Sequence, residues 1–358
     1  MQKLTTIVLL LLCLILAACG SEADSHDHGS HADEDEHAHE NEGGDLVLPE
    51  LDAIALDGRM LRVVATTNII GDVISNIGSD QIELTVLMTQ GEDPHSYEST
   101  PQDLVAMEKA DIIFVNGWDL EERLAADIEE NFSSKMVAIS AGVEPLDFDN
   151  SEHGHEDEEH EDEEHADEDE EHADEDDHGH SGADPHVWFD VHNVERWAEN
   201  TAEVLSEADP ANAEAYQASL GAYIKQLEAL ESEIETMLEE LPAESRKLVT
   251  NHDALGYFAK AHNFEVVGTV LPALSTNADP SAGELAELIE IMEHEGVCTV
   301  FGETTSSNEL AETVAAELDS CNTVQVLTIY TGSLGDGEAN SYIGMFRSNV
   351  QTILEGLQ

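Results

Sequence analysis

Three histidines of this chain lie in segments where a binding site is expected. His95 follows a predicted strand in the turn-rich segment GEDPHSYESTPQD, and His252 lies at the end of a predicted strand in TNHDALGYFAK. His186 lies in DPHVWFD, directly after an acidic tract. Ligand sites in open α/β sheets lie beyond the carboxyl ends of strands, and imidazole is the commonest metal ligand. The spacing and context of the three histidines therefore predict a metal site.

Two of these histidines share the sequence Asp-Pro-His, in which the acid is placed to accept a hydrogen bond from the imidazole. Three imidazoles suit Zn²⁺, whereas Mn²⁺ prefers more oxygen, and Cu²⁺ or Ni²⁺ would also bind imidazole well. The alternative is that each histidine is an ordinary surface or core residue. We interpret His262 and His294 in that way, and His192 is a weak reserve ligand.

Two tracts consist almost entirely of acid and histidine, at residues 26–39 and 162–180. Exposed clusters of this kind bind Zn²⁺ weakly, exchange it quickly and concentrate cations in their negative field. We therefore predict a low-affinity zinc-collecting or zinc-sensing loop. Its histidines are His153, His155, His160, His165, His172, His178 and His180. The alternative is a solvated linker that favours solubility in salt, which explains the acids but not the recurrent histidines.

The charge of the chain restricts its partners. Asp and Glu number 80 against 12 Lys and Arg, a formal net charge of -68. Nucleic acid and anionic lipid repel such a chain, so we expect no nucleic-acid partner and an affinity for cations. With 41% hydrophobic residues among 358, the chain can form one large or two medium-sized domains.

The N-terminal residues are typical of an export signal. A short basic start precedes an apolar run that is too short to span a bilayer comfortably. The sequence Leu-Ala-Ala-Cys ending at Cys19 is similar to a bacterial lipobox, with an ordinary signal peptide as the alternative. We predict a signal peptide over 1–18 and a lipidated, disordered, His- and acid-rich tether over 19–58. The protein is then exported and lipid-anchored, in the periplasm or at the outer face of the cytoplasmic membrane.

Strands and helices alternate along the rest of the chain in two sets, which predicts parallel sheets covered on both faces. We expect an N-terminal α/β lobe over 59–208, with a disordered His- and acid-rich insertion over 147–184. One long rigid helix over 209–241 joins it to a C-terminal α/β lobe over 242–358. A cleft between two such lobes is the expected place for the metal. The predicted strands lie at 61–67, 82–88, 111–117, 135–140, 247–253, 264–270, 297–303 and 323–329.

Two of the four cysteines remain for the folded protein. Cys13 is removed with the signal peptide and Cys19 carries the lipid, which leaves Cys298 and Cys321. In an oxidising compartment we predict a disulfide between them, with two buried free thiols as the alternative.

Four segments, in order along the chain, resemble the metal-binding receptors of bacterial ABC importers of the ZnuA/TroA type (cluster A-I solute-binding proteins). They are GEDPHSYESTPQDLVAMEKADIIFVNGWDLE, DPHVWFD, NHDALGYFAKAHNFEVVG and SYIGMFRSNVQTIL. The resemblance covers about residues 59–358. It implies two α/β lobes bridged by a rather rigid helix, a monomer with one metal in the interlobe cleft, and delivery to an ABC permease in the cytoplasmic membrane.

The resemblance also implies a ligand set. His95, His186 and His252 match the three histidine ligands of the family, whereas members selective for manganese usually have Glu in place of His252. The fourth ligand of the family is commonly an Asp, and this chain has Gly332 there, which cannot bind a metal. The candidates for the fourth ligand are then water and the nearby acids Glu92, Glu303 and Asp336.

These observations predict a Zn²⁺ receptor that delivers its cargo to an importer, and not an enzyme. The alternatives are a manganese receptor of the same family, a surface zinc buffer or a zinc hydrolase, since three histidines and water also form a catalytic zinc site. The chain contains neither H-E-x-x-H nor G-x-S-x-G, the motifs of two hydrolase classes.

Overall fold

The computed structural model describes residues 46–147 and 182–358, in which the strands form two four-stranded parallel sheets. The first has the strand order β2-β1-β3-β4 and the second β6-β5-β7-β8. The strands of the first sheet are β1 (Leu61–Ala65), β2 (Ile82–Val86), β3 (Ile112–Val115) and β4 (Met136–Ala138). Those of the second are β5 (Lys247–His252), β6 (Glu265–Leu271), β7 (Thr299–Glu303) and β8 (Gln325–Ile329). Two parallel α/β lobes were predicted, and the prediction is confirmed.

Helices connect the strands and cover both faces of each sheet. The N-terminal lobe has α1 (Asn68–Gly78), α2 (Pro101–Lys109), α3 (Glu122–Phe132) and α4 (Val191–Ala208). A helix of 26 residues, α5 (Ala213–Leu238), follows. The C-terminal lobe has α6 (Gly256–His262), α7 (Ala282–Glu295), α8 (Glu309–Glu317) and α9 (Tyr342–Leu357).

Local sequence explains where several helices begin and end. The Thr100 side chain accepts from the backbone N–H of Asp103, and the Asp103 side chain accepts from the backbone of Thr100, which is a complete capping box. Ser281 and Glu284 form the same arrangement at the start of α7. Gly296 ends α7 with a φ of 71°, a left-handed conformation that glycine adopts without a steric penalty.

Each sheet buries alternate residues on its two faces. In β1, Leu61, Val63 and Ala65 face a large core shared with α1, α4, α5 and α9, whereas Val64 faces a smaller core under α2 and α3. The second sheet follows the same rule, since Leu248 of β5 faces the shared core and Val249 faces a separate smaller core. Burial on both faces explains why the central strands β1 and β3 are almost wholly apolar.

The long helix α5 packs against α4, α1 and α9, so it contacts helices of both lobes. Its buried residues recur along one face and are Tyr216, Tyr223, Leu227, Leu230, Ile234 and Leu238. Burial of this stripe in the shared core fixes α5 between the lobes.

Residues 46–56 lie against the fold, although we predicted a tether as far as residue 58. The N–H of Ile54 donates to the carbonyl of Ala208 over 2.9 Å, and Leu48, Leu51 and Leu56 pack against the shared core. These residues therefore belong to the folded body, because their apolar side chains find a surface beside α4 to cover.

The predicted signal peptide 1–18, Cys19, the tether up to residue 45 and residues 148–181 of the insertion lie outside the described residues. At the base of the insertion, Asp147 and Ala183 form an isolated antiparallel bridge. The two described ends on either side of residues 148–181 are therefore adjacent, directly before Asp184 and His186.

The predicted disulfide between Cys298 and Cys321 is present and joins the residue before β7 to the loop before β8. Among the described residues, no helix is long and apolar enough to cross a membrane.

Candidate metal centre

The two lobes present histidines to each other at the carboxyl ends of their strands. His252 is the last residue of β5, and the neighbouring strand β7 ends at Glu303. His95 lies in the loop between β2 and α2, and His186 lies between the base of the insertion and α4. Carboxyl ends of parallel strands meet at one edge of a sheet, so the fold places all three histidines at the interlobe boundary.

The three imidazoles converge through their Nε2 atoms. The Nε2 atom of His186 lies 3.2 Å from that of His95 and 3.1 Å from that of His252. All three side chains are buried, with 4%, 1% and 2% of their surface exposed for His95, His186 and His252. Two nitrogens that bind one tetrahedral zinc ion lie roughly 3.3 Å apart. The spacing is therefore that of nitrogens able to share an ion.

A carboxylate lies behind each ring, on the side of Nδ1. Asp184 Oδ1 is 2.8 Å from His186 Nδ1, and Glu303 Oε1 accepts from His252 Nδ1. Glu122 Oε1 is 3.6 Å from His95 Nδ1, which is beyond a good hydrogen bond. Asp184 and Glu303 therefore hold the proton of their rings on Nδ1 and leave the Nε2 lone pair directed at the centre, as metal sites require.

Electrostatics at the centre favour a bound cation. Burial lowers the pKa of His186 well below its ordinary value, and repulsion from the other two imidazoles adds to this. Burial opposes protonation of His252, but Glu303 prevails and raises the pKa of that ring. The pKa of Glu303 falls to about 2 because His252 outweighs the effect of burial. A cation between the rings would supply the positive charge that Glu303 stabilises.

Side-chain hydrogen bonds position the two histidines of the N-terminal lobe. Asp93 accepts from the backbone N–H of His95 over 3.1 Å, and Asp184 accepts from that of His186 over 2.9 Å. Asn116, which follows β3, donates to the carbonyl of Pro185 over 2.9 Å. The Asp-Pro-His segments are therefore held at their backbones as well as at their rings.

Comparison with known proteins identifies the family. The family model ZnuA, described as zinc-uptake complex component A, periplasmic, matches residues 63–356. The chain belongs to this family. A relative, the manganese-binding lipoprotein MntA of Halalkalibacterium halodurans, is 31% identical over 301 residues, which are 84% of this chain and 90% of that protein.

Solved structures agree with this membership of the ZnuA family. The periplasmic zinc binding protein TroA from Treponema pallidum aligns with a TM-score of 0.70 and 27% identity, over 83% of this chain and 99% of that chain. A periplasmic metal binding protein from Candidatus Liberibacter asiaticus aligns with a TM-score of 0.66 and 26% identity, over the same shares of the two chains. The two-lobed fold is therefore that of TroA.

None of the three carboxylates considered as a fourth ligand lies among the converging nitrogens. Among the described residues, the group that could hold a metal consists of His95, His186 and His252. Glu303 is behind the His252 ring, Glu92 accepts from the backbone N–H and hydroxyl of Thr89, and Asp336 lies beside Gln90.

The position that lacks the family's acidic ligand is closely packed. A Cβ atom added at Gly332 would lie 2.8 Å from Cδ of Pro94, in the loop that carries His95. The next residue, Ser333, accepts hydrogen bonds over 2.9 Å from the Asn68 side chain and from the N–H of Gly91. This loop therefore joins the lobes and leaves no space at residue 332 for a side chain unless Pro94 moves.

The remaining histidines lie elsewhere. His192 is on the surface of α4 beside Asp190, and His294 is exposed on α7. His262 is buried between Phe258 and Phe346. The seven histidines of the predicted low-affinity loop lie outside the described residues.

Sequence reasoning missed Glu122 as a neighbour of His95. Its signal was weak, since Glu122 is one of two consecutive acids at the start of a helix and is distant from His95 along the chain. The first of the pair, Glu121, is buried and accepts from Thr66 and from the N–H of Asn116. Burial raises the pKa of Glu121 to about 7. The two neighbouring acids therefore have different surroundings, which the sequence does not reveal.

Proposed function

We propose that this chain is the zinc receptor of an ABC-type importer. It binds one Zn²⁺ between its lobes through His95, His186 and His252, with water as the fourth ligand, and delivers the ion to a permease in the cytoplasmic membrane. The observation that carries the proposal is the convergence of three buried imidazoles, in which Nε2 of His186 lies 3.2 Å from Nε2 of His95 and 3.1 Å from Nε2 of His252, and each ring has a carboxylate behind it.

The ligand atoms support zinc as the cargo. In the part of the chain that the structure describes, three imidazole nitrogens converge with no carboxylate oxygen among them, a set that suits Zn²⁺, whereas Mn²⁺ is better served by oxygen. The specific observation on the other side is the name of the relative MntA, a manganese-binding lipoprotein. Manganese is therefore the second candidate cargo, and direct comparison of the two ions decides between them.

A receptor role, and not catalysis, fits the burial of the site. A zinc hydrolase must present its open coordination position to a substrate as well as to water. The three imidazoles are at most 4% exposed.

We further propose that the protein is an exported monomer anchored through lipid at Cys19, at the outer face of the cytoplasmic membrane or in the periplasm.

The His- and acid-rich tracts add a second role to the proposal. On their composition, we assign to them the weak collection or sensing of Zn²⁺ near the receptor. Deletion of residues 151–182 should lower the number of weakly bound ions and slow zinc capture at low metal concentration. Unchanged values of both would contradict this role.

The test is a titration of the chain from residue 20 with Zn²⁺ and with Mn²⁺ against a competing chelator. We expect one tight zinc site that His252→Ala abolishes, and weaker sites that persist. The matched control is His294→Ala, which removes an exposed histidine of the same lobe and should bind like the parent. Survival of the tight site in His252→Ala would overturn the ligand assignment, and tighter binding of Mn²⁺ would select the second candidate.

A further inference from the structure

One segment of the C-terminal lobe contacts His95 and its neighbours Asp93 and Glu122 in the N-terminal lobe, a group that we call the His95 corner. This segment, Ser275–Asn277, lies between β6 and α7, and we call it the latch segment. The Thr276 hydroxyl donates to Asp93 over 2.6 Å. The Asn277 side chain donates to the carbonyl of His95 over 3.0 Å. The latch segment therefore holds the side chain of Asp93 and the backbone of His95, the residues on the two sides of Pro94.

The latch segment also holds the carboxylate of Glu122. The Ser275 hydroxyl donates to Oε1 over 2.6 Å, and the Asn277 amide donates to Oε2 over 3.2 Å. The same Oε1 atom lies 3.6 Å from Nδ1 of His95. These two donors thus hold the carboxylate beside the imidazole.

Glu122 differs from the two other carboxylates of the centre in how it is held. The Asp184 and Glu303 side chains are 4% and 1% exposed and contact their histidines closely, whereas Glu122 is 34% exposed. Glu303 is held by residues of its own lobe, among them Thr331 and Ser306. The donors to Glu122 come instead from the opposite lobe, so its position depends on contact between the lobes.

We propose that Glu122 is a positioning residue for His95 and that the latch segment keeps it in place only while the lobes are closed. This inference rests on the proposed function, because it concerns release of the metal held there. Parting of the lobes would break the hydrogen bonds of the latch segment to Asp93, His95 and Glu122 together. The His95 corner would then loosen while His252 remains fixed by its strand, so that metal leaves from the His95 side.

The experiment compares Glu122→Ala, Asn277→Ala and the double variant in the otherwise complete mature chain. Affinity for Zn²⁺ is measured by chelator competition and dissociation by stopped-flow mixing with excess chelator. We expect Glu122→Ala to weaken affinity about 10- to 100-fold, mostly through faster dissociation, as loss of an outer carboxylate beside a metal-binding histidine typically does. Asn277→Ala should act in the same direction. The double variant should lose less affinity than the sum of the two single losses, because Asn277 acts partly through Glu122 and partly through its own hydrogen bond to the carbonyl of His95.

Three controls separate positioning from general damage. Glu98→Ala removes an exposed acid of the same lobe that pairs with Arg123, and it should not change affinity. Glu122→Gln keeps an acceptor for Ser275 and should restore part of the affinity that Glu122→Ala loses. With Co²⁺ as a probe, the absorption spectrum of the bound ion should change in Glu122→Ala and stay unchanged in Glu98→Ala.

The outcomes distinguish this inference from the proposed function. Absence of a tight zinc site in the parent chain would remove the proposed function itself. A tight site in the parent with equal affinity and dissociation rate in Glu122→Ala would overturn the positioning role. Additive losses in the double variant would overturn the link between Glu122 and the latch segment.

Discussion

The two halves of the candidate metal centre are built in different ways. In the C-terminal half, which we call the strand half, His252 and Glu303 are the last residues of β5 and β7, which pair with each other. In the N-terminal half, which we call the loop half, His95 and His186 lie in loops beyond the strands of their sheet. Strands hold side chains more precisely than loops do. The first half is therefore fixed by backbone pairing, and the second depends on side-chain hydrogen bonds.

This difference explains where the polar side chains are concentrated. The loops of the N-terminal half are held by Asp93, Asp184 and Asn116, and by the latch segment. Each of these contacts is a single hydrogen bond or a small group of them, so each can open at a modest cost. We therefore expect the loop half to adjust when metal enters or leaves, around a strand half that stays in place.

The largest expected effect is at the acceptor of the strand half. Glu303→Gln keeps the size of the side chain but removes the charge that favours a cation at His252. We expect zinc affinity to fall about 10- to 100-fold, which corresponds to about 1.4 to 2.7 kcal/mol. Competition titration measures the change, with Glu309→Gln on the neighbouring helix as the matched control. A change below about threefold would show that strand pairing alone orients His252.

Much of the fold was predictable because its signals are local. The run Ile112–Val115 is apolar at every position, as a strand buried on both faces must be, and the capping residues Thr100 and Ser281 mark helix starts directly. The end of the tether was not predictable. Leu51 and Ile54 lie in an acidic, unpatterned stretch, and their partners near Ala208 are far along the chain.

Part of the candidate metal centre was likewise predictable from the sequence, and part of it was not. The three histidines could be singled out because they occur in loops or at a strand end, and Asp184 could be expected beside His186 from the Asp-Pro-His sequence. The same motif misleads at the other histidine, where Asp93 accepts from the backbone N–H and Glu122 of α3 lies beside the ring. Which acid faces a ring is decided by tertiary packing, and one sequence does not carry that information.

The second prediction concerns the pH range over which the C-terminal lobe remains stable. His262, at the end of α6, is 5% exposed, and its Nε2 atom has no hydrogen-bond partner. Burial lowers its pKa to about 4, with a further contribution from Arg246 against the opposing charge of Asp190. The folded state therefore binds this proton less readily than the unfolded chain does. The neutral His262 ring therefore contributes to the free energy of unfolding in full above about pH 6.5, and this contribution is lost as the pH falls toward about 4.

The variant His262→Phe removes this proton-binding site and fits between Phe258 and Phe346. Between pH 7 and pH 5, the free energy of unfolding should fall about 2 kcal/mol less in the variant than in the parent. Urea unfolding of the metal-free chain at the two pH values measures this difference. His294→Phe is the control for the substitution itself, since it places the same side chain at an exposed position of the same lobe. An equal change in the free energy of unfolding between pH 7 and pH 5 in the parent and in His262→Phe would refute the low pKa of His262.

The smallest expected effect tests the loop half. Asn116 donates to the carbonyl of Pro185, so Asn116→Ala leaves that buried carbonyl without its donor and frees the segment before His186. We expect a loss of about 1 kcal/mol, or about fivefold in zinc affinity. The control is Asn131→Ala on α3, where the same kind of side chain donates to a backbone carbonyl at the surface.

The division of this small loss between stability and affinity is informative. If Asn116→Ala lowers affinity while the metal-free chain unfolds as before, the hydrogen bond serves to place His186. If it lowers only the free energy of unfolding, the loop half does not depend on Asn116 for its position, and the contrast with the strand half is weaker than the structure indicates. Glu121 makes the distinction measurable, because it accepts from the backbone N–H of Asn116 and that contact survives the substitution.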